Sequence, residues 1–78
     1  MKIQLLGTSG CHLCDVAEKK IRLLAPSLNY IVEKIDIAHD DSLVEQYGLT
    51  IPVLRTESGQ ELFWPFDEEK ILAWSKSL

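Results

Sequence analysis

Two cysteines stand three residues apart, Cys11 and Cys14, with His12 and Leu13 between them, and the chain has no others. Two thiols one helical turn apart can be exchanged for a single disulfide, a two-electron step. Cys11 falls where a strand-like run (Lys2 to Leu6) and a small-residue loop (Gly7, Thr8, Ser9, Gly10) give way to a helical pattern. A thiol at that point meets unpaired backbone N–H groups and the positive end of the helix dipole, which favour its thiolate. The thiolate is the form that attacks disulfides. Cys11 is therefore read as the nucleophile rather than as a small buried hydrophobe. Cys14 lies one turn further in on the same side and is read as the less exposed thiol that resolves the mixed disulfide. His12 either supports the Cys11 thiolate, by charge or by a hydrogen bond, or is a solvated residue of the first turn. His39, in a polar loop beside Asp40 and Asp41, reads as a loop residue only.

The elements that must position this pair follow from periodicity and turn chemistry. After the first strand, Leu13, Val16, Ala17, Ile21 and Leu24 recur with helical spacing, and Asp15, Glu18, Lys19 and Arg22 take the other side. This predicts a helix from about Leu13 to Leu24, stopped by Pro26. A second strand is expected from Tyr30 to Ile37, rich in β-branched residues. Asp40, Asp41 and Ser42 are N-cap candidates for a short helix through Leu43, Val44 and Tyr47, with Ser42 and Glu45 spaced as a capping box. Gly48 suits its C′ position. Pro52 precedes a third strand, Val53–Thr56. Glu57, Ser58 and Gly59 turn the chain into a hairpin partner, Glu61–Phe63. A last helix begins near Asp67 and carries Ile71, Leu72 and Trp74. The order is β-α-β-α-β-β-α. Its first two strands are parallel across a helical crossover and its last two antiparallel, giving a mixed four-stranded sheet with helices on its faces.

Size and charge narrow the function classes. A chain of 78 residues has room for one domain, residues 1–78, and one modest core. Hydrophobic residues at 46% and charged residues at 26% give a globular balance, not a disordered one. The net charge of −4 argues against nucleic acid as the main partner, since phosphate contacts need a basic face. No run approaches the roughly 20 apolar residues needed to span a bilayer, and Ile3, Leu5 and Leu6 are too few for a signal peptide. The expected compartment is the cytoplasm, where a close cysteine pair is more often catalytic or metal-binding than structural.

With the pair in its strand–loop–helix setting and Ile51–Pro52 ahead of the third strand, the chain resembles the glutaredoxin branch of the thioredoxin superfamily over essentially its full length. The likeness extends to small glutaredoxin-like proteins that end in a tryptophan-bearing helix. The resemblance implies an α/β thioredoxin fold of the minimal glutaredoxin type. It also implies a cis Ile51–Pro52 bond facing the cysteines, with the Ile51 backbone free to pair with an extended substrate or with glutathione. Two departures bear on the substrate. Glutaredoxins often carry a lysine three residues before the first cysteine, where this chain has Thr8. They commonly place two glycines after the fourth strand and then an aspartate that binds glutathione. Here the stretch reads Phe63-Trp64-Pro65-Phe66-Asp67. Asp67 can match that aspartate or serve as an N-cap. Trp64 and Phe66 either line an apolar shelf near Ile51 and Pro52 or pack the last helix onto the sheet.

The leading expectation is a thiol–disulfide oxidoreductase acting on protein or small-molecule disulfides, recharged by a thiol reductant or a reductase. It would work as a monomer, with no required cofactor and no membrane or nucleic-acid partner. Glutathione enters only as a cosubstrate, and the two departures count against it. The alternatives are a redox-inactive interaction domain, or a metal or iron–sulfur module. The last has two soft ligands where a structural zinc site usually needs four.

Overall fold

The computed structural model describes residues 2–78. Strand β1 covers Lys2–Gly7, helix α1 His12–Leu28, β2 Ile31–Asp36, α2 Asp41–Tyr47, β3 Val53–Thr56, β4 Glu61–Phe63 and α3 Glu68–Lys76. A single 3-10 turn, Ile37–His39, links β2 to α2. The strands lie in the order β2-β1-β3-β4. β1 runs parallel to β2 and antiparallel to β3, and β3 and β4 form the antiparallel hairpin. The mixed four-stranded sheet is the one that the element order implies.

β1 is the central strand, and its alternation builds two cores. Ile3 and Leu5 point to one face, where they pack with Ala17 and Ile21 of α1, Leu54 of β3, and Phe66 and Ile71 beside and within α3. Leu6 points to the other face and packs with Ile37, Tyr47 and Val53. With seven residues, α2 is only about 10 Å long and covers part of that second face. Next to it the strands carry polar side chains in one row, which the Tyr47 hydroxyl joins from the end of α2. Gln4 donates to Glu33 at 3.1 Å, and Arg55 donates to Gln4 at 2.9 Å and to the Tyr47 hydroxyl at 3.3 Å. Tyr47 in turn donates to Glu61. The row follows the strand register, since Gln4 lies opposite both Glu33 and Arg55 and Arg55 lies opposite Glu61.

Four local expectations are corrected. In α1 the buried residues are Cys14, Ala17, Ile21 and Ala25: Ala17 and Ile21 lie on the expected face, but the row is turned toward Cys14 and Ala25, leaving Val16 and Leu24 half-buried and Leu13 44% exposed. Contact with β1 sets this phase, because the sulfur of Cys14 backs onto the strand. Pro26 does not stop α1, which continues to Leu28. Pro26 lacks the N–H that would reach the carbonyl of Arg22, but both residues are exposed, so that carbonyl can turn to water. The stop comes three residues later at Asn29, in the left-handed conformation (φ 58°), with its N–H on the carbonyls of Ala25 and Pro26. Of the three N-cap candidates for α2, Asp40 takes the role. Its carboxylate accepts the N–H groups of Ser42 at 2.9 Å and Leu43 at 3.3 Å, and the Ser42–Glu45 capping box does not form. Gly48 follows α2 in the right-handed conformation (φ −53°). Glycine is needed there for space, since a Cβ would sit 2.5 Å from the Val44 carbonyl oxygen.

Candidate active site

Cys11 is the N-cap of α1, with extended backbone (φ −95°, ψ 108°). Its carbonyl accepts the first helical bond, from the Asp15 N–H at 3.2 Å, and its sulfur accepts the Cys14 N–H at 3.2 Å. The sulfur therefore occupies the place a serine or aspartate oxygen takes in an ordinary cap, on an amide that no helical carbonyl can satisfy. Cys11 and Cys14 are joined as a disulfide, with their Cα atoms 5.2 Å apart. Their environments differ. Cys14 is buried at 4% exposure, whereas Cys11 is half-buried at the surface. His12 and Leu13, between them, are exposed.

Pro52 reaches the same end of the sheet through strand register. Leu6 lies opposite Val53, so the next step outward sets Gly7, the last residue of β1, across from Pro52. The Ile51–Pro52 bond is cis, as is Trp64–Pro65. Pro52 is buried, and its carbonyl accepts the Trp64 N–H at 3.2 Å, which ties the exit of β4 to the start of β3. Ile51 is half-buried, and its N–H is not free. It donates at 3.2 Å to the Tyr47 carbonyl, which also takes the Thr50 N–H at 2.8 Å and the Thr50 hydroxyl at 3.1 Å. A substrate strand pairing with the Ile51 amide would displace the longest of three bonds to one oxygen.

The aromatic pair divides between core and surface. Phe66 is buried among Ile3, Leu5, Ile21 and Ile71, so it is a core residue that forms only part of the wall of the groove beside it. A short chain with few large side chains spends this one on seating α3. Trp64 packs edge-to-face on it, with ring centroids 5.1 Å apart, and is partly exposed. With Pro65, Asp67, Lys20 and Lys70 it borders an open groove of about 660 Å³ between α1 and the start of α3. Asp67 is the N-cap of α3, its carboxylate accepting the Lys70 N–H at 2.9 Å.

One contributor, Asp36, stands out only in the folded chain. Its carboxylate is held below the usual range first by the Ala38 N–H and next by the Thr8 hydroxyl, with the His39 imidazole 3.7 Å away. Thr8 is the position where the resembling family often carries a lysine. Here it lies beside an anion instead. The signal in sequence is slight: an acidic residue at the end of a strand parallel to β1, opposite Gly7.

His12 stands on the solvent side of the first turn. Its replacement by alanine is expected to leave the fold intact and to lower thiol reactivity at neutral pH by no more than about threefold, since the cap amide supplies a field of its own. Thiol alkylation rates of the two reduced proteins check this. An unchanged rate would leave His12 a surface residue and nothing more.

The comparisons agree with this geometry. The family model described as Glutaredoxin-like domain (DUF836) matches residues 2–76. Comparison with the curated proteins finds no match. Among solved structures, the X-ray structure of target protein XcR50 from X. campestris is 37% identical and superposes with a TM-score of 0.84, covering 97% of this chain and 97% of that one. The solution structure of protein Ne2328 from Nitrosomonas europaea is 29% identical with a TM-score of 0.78, over 94% of this chain and 88% of that one. Thioredoxin 1 from Thermosipho africanus TCF52B shares the fold at a TM-score of 0.75 and 20% identity, over 99% and 92% of the two chains. A thioredoxin-type sheet, a cysteine pair within disulfide reach at the start of α1, and a family match over nearly every residue place the chain in the glutaredoxin-like domain family.

Proposed function

We propose that the protein is a thiol–disulfide oxidoreductase in which Cys11 attacks and Cys14 resolves. The observation that carries this is the Cys11 sulfur at the N-cap, accepting the Cys14 N–H. The group that stabilises a thiolate is already aimed at the sulfur that would carry the charge. In the reduced protein, the Cys11 thiolate attacks one sulfur of a substrate disulfide, forms a mixed disulfide and expels the other sulfur as a thiolate. Cys14, having lost its proton to solvent, then attacks the Cys11 sulfur. The second substrate thiol leaves, and the Cys11–Cys14 disulfide remains. Two electrons have passed to the substrate, and an external dithiol or reductase restores the protein by the reverse exchange. The burial of Cys14 supports its assignment as the later reactant.

The substrate class is a protein or small-molecule disulfide, with glutathione a poor cosubstrate. Thr8 beside the Asp36 carboxylate offers no cation to a glutathione carboxylate, and Trp64-Pro65 puts bulk where glycines would admit its backbone. Leu13, between the two cysteines, is exposed, and an apolar side chain flanking the cysteine of a protein substrate can cover it. A monomer in a reducing compartment such as the cytoplasm suits this cycle, with no bound cofactor. Among the described residues no group of three or more His, Cys, Asp or Glu side chains is placed to hold a metal ion.

Turnover of a glutathione mixed disulfide by the glutathione-coupled system tests the substrate class. Loss of a charge-assisted contact leads us to expect efficiency about tenfold to a hundredfold below that of an ordinary glutaredoxin. Dithiothreitol-charged protein should still reduce a protein disulfide. Full glutathione efficiency would show that the pocket has been rebuilt with other residues and would overturn this substrate assignment.

A further inference from the structure

On the face of β1 that meets α1, Ile3 and Leu5 are followed by Gly7, so the strand sheds its side chain at the level of the cysteine pair. A Cβ placed on Gly7 would lie 3.0 Å from the Cys14 sulfur and 3.1 Å from the Cys14 Cβ, with no other atom within 4 Å. The backbone itself does not require glycine there, because the glycines with positive φ are Gly10 and Gly59. We infer that Gly7 is a positioning residue for the redox pair: the bare Cα of Gly7 is the seat of the resolving sulfur, and the missing methyl sets how strongly the disulfide is favoured over the dithiol. Nothing in the spacing of the cysteines points to this residue, which lies seven positions before Cys14 and reads in sequence as the start of a loop.

The sign of the effect follows from what each redox state lets the sulfur do. A methyl at Gly7 forces the Cys14 sulfur to give way by a few tenths of an ångström, since few carbon contacts are so close. In the disulfide the sulfur is tethered to Cys11 and its rotamer is locked, so it cannot turn aside. In the dithiol the tether is cut, and rotation about the Cys14 Cα–Cβ bond carries the sulfur off the methyl. The Cβ contact is common to both states and cancels between them. Gly7→Ala therefore penalises the disulfide selectively and makes the pair a stronger oxidant. The importance of that shift for turnover rests on the oxidoreductase reading, but the shift itself is an equilibrium property of the pair.

The experiment equilibrates wild type and Gly7→Ala in dithiothreitol buffers of graded oxidised-to-reduced ratio and counts free thiols by alkylation and mass. The expected result is an equilibrium displaced toward the dithiol by about tenfold or more, equivalent to about 30 mV for a two-electron couple. Thermal melts provide a second measurement: Gly7→Ala should lower the melting temperature more in the oxidised protein than in the reduced one. It should cost the Cys11→Ser background, where Cys14 is untethered, no more than it costs the reduced protein. An equilibrium within twofold of wild type, or equal losses in both redox states, overturns the inference. A variant that folds only when reduced is its extreme form. A variant that fails to fold when oxidised, when reduced and in the Cys11→Ser background also overturns it, because the methyl would then be disturbing more than a tethered sulfur. If the wild-type pair equilibrates and responds to Gly7→Ala but reduces no substrate disulfide, this inference stands and the proposed function falls.

Discussion

Cys14→Ser protein, incubated with a disulfide substrate, should accumulate a stable adduct through Cys11, and Cys11→Ser protein should not. The difference is expected to be large because the two thiols act in sequence. Without Cys14 the first exchange proceeds, and the mixed disulfide has no neighbouring thiol to expel it. A held thiol acts at an effective concentration far above any external thiol, so its loss should lengthen the adduct's lifetime by at least about a hundredfold. Without Cys11 there is no sulfur at the helix cap, and the buried Cys14 has no comparable access. Turnover should fall to background, at least about a hundredfold down, as when an attacking group is removed from an enzyme that depends on it. Intact mass under non-reducing conditions reads both results. An adduct that forms equally well on Cys14 in the Cys11→Ser protein would reverse the two roles.

The largest expected effect on folding is at Ile21. It is fully buried in the cluster that packs α1 against β1 and α3, with Ile3, Leu5 and Ile71 around it. Ile21→Ala removes the side chain and leaves a cavity that the helix and strand can only partly close, a loss of about 2–5 kcal/mol. A domain of 78 residues has a total stability of roughly 4–12 kcal/mol, so this one substitution consumes a large share of it. The melting temperature should drop by roughly 10 °C or more. Leu23→Ala on the same helix, at 74% exposure, should change stability by no more than about 0.5 kcal/mol. Equal losses at the two positions would mean that α1 does not pack as described. Because α1 also presents Cys11, the Ile21 variant should lose reactivity in step with its folded fraction.

The cysteine pair and the element order are legible in sequence because both depend on short-range pattern. Strand alternation, helical spacing and the turn residues around Gly59 are local, and the third and fourth strands fall at Val53–Thr56 and Glu61–Phe63 as their residue types imply. What escapes is set by contacts across the fold. The apolar positions of α1 allow two neighbouring rotations, one through Leu13 and one through Cys14, and only the strand behind the helix selects the second. Phe66 could line a surface or fill a core, and the position of α3 decides for the core. Pro26 ends a helix when its missing N–H leaves a buried carbonyl. Here it continues one, because Arg22 is exposed. Thr8 reads as an absent lysine, but the carboxylate of Asp36 beside it becomes apparent only once β2 lies parallel to β1. Gly7 carries no signal of its own in the chain. Its meaning is the sulfur of Cys14.

The central claim is that the sulfur at the α1 cap is the attacking one. The most direct measurement is the rate of alkylation of each thiol in the fully reduced protein at neutral pH, resolved residue by residue by mass spectrometry of digested samples. The expected result is that Cys11 is modified first, at least about tenfold faster than Cys14, as the exposed thiolate at a helix terminus should be. Equal rates, or faster modification of Cys14, would contradict it.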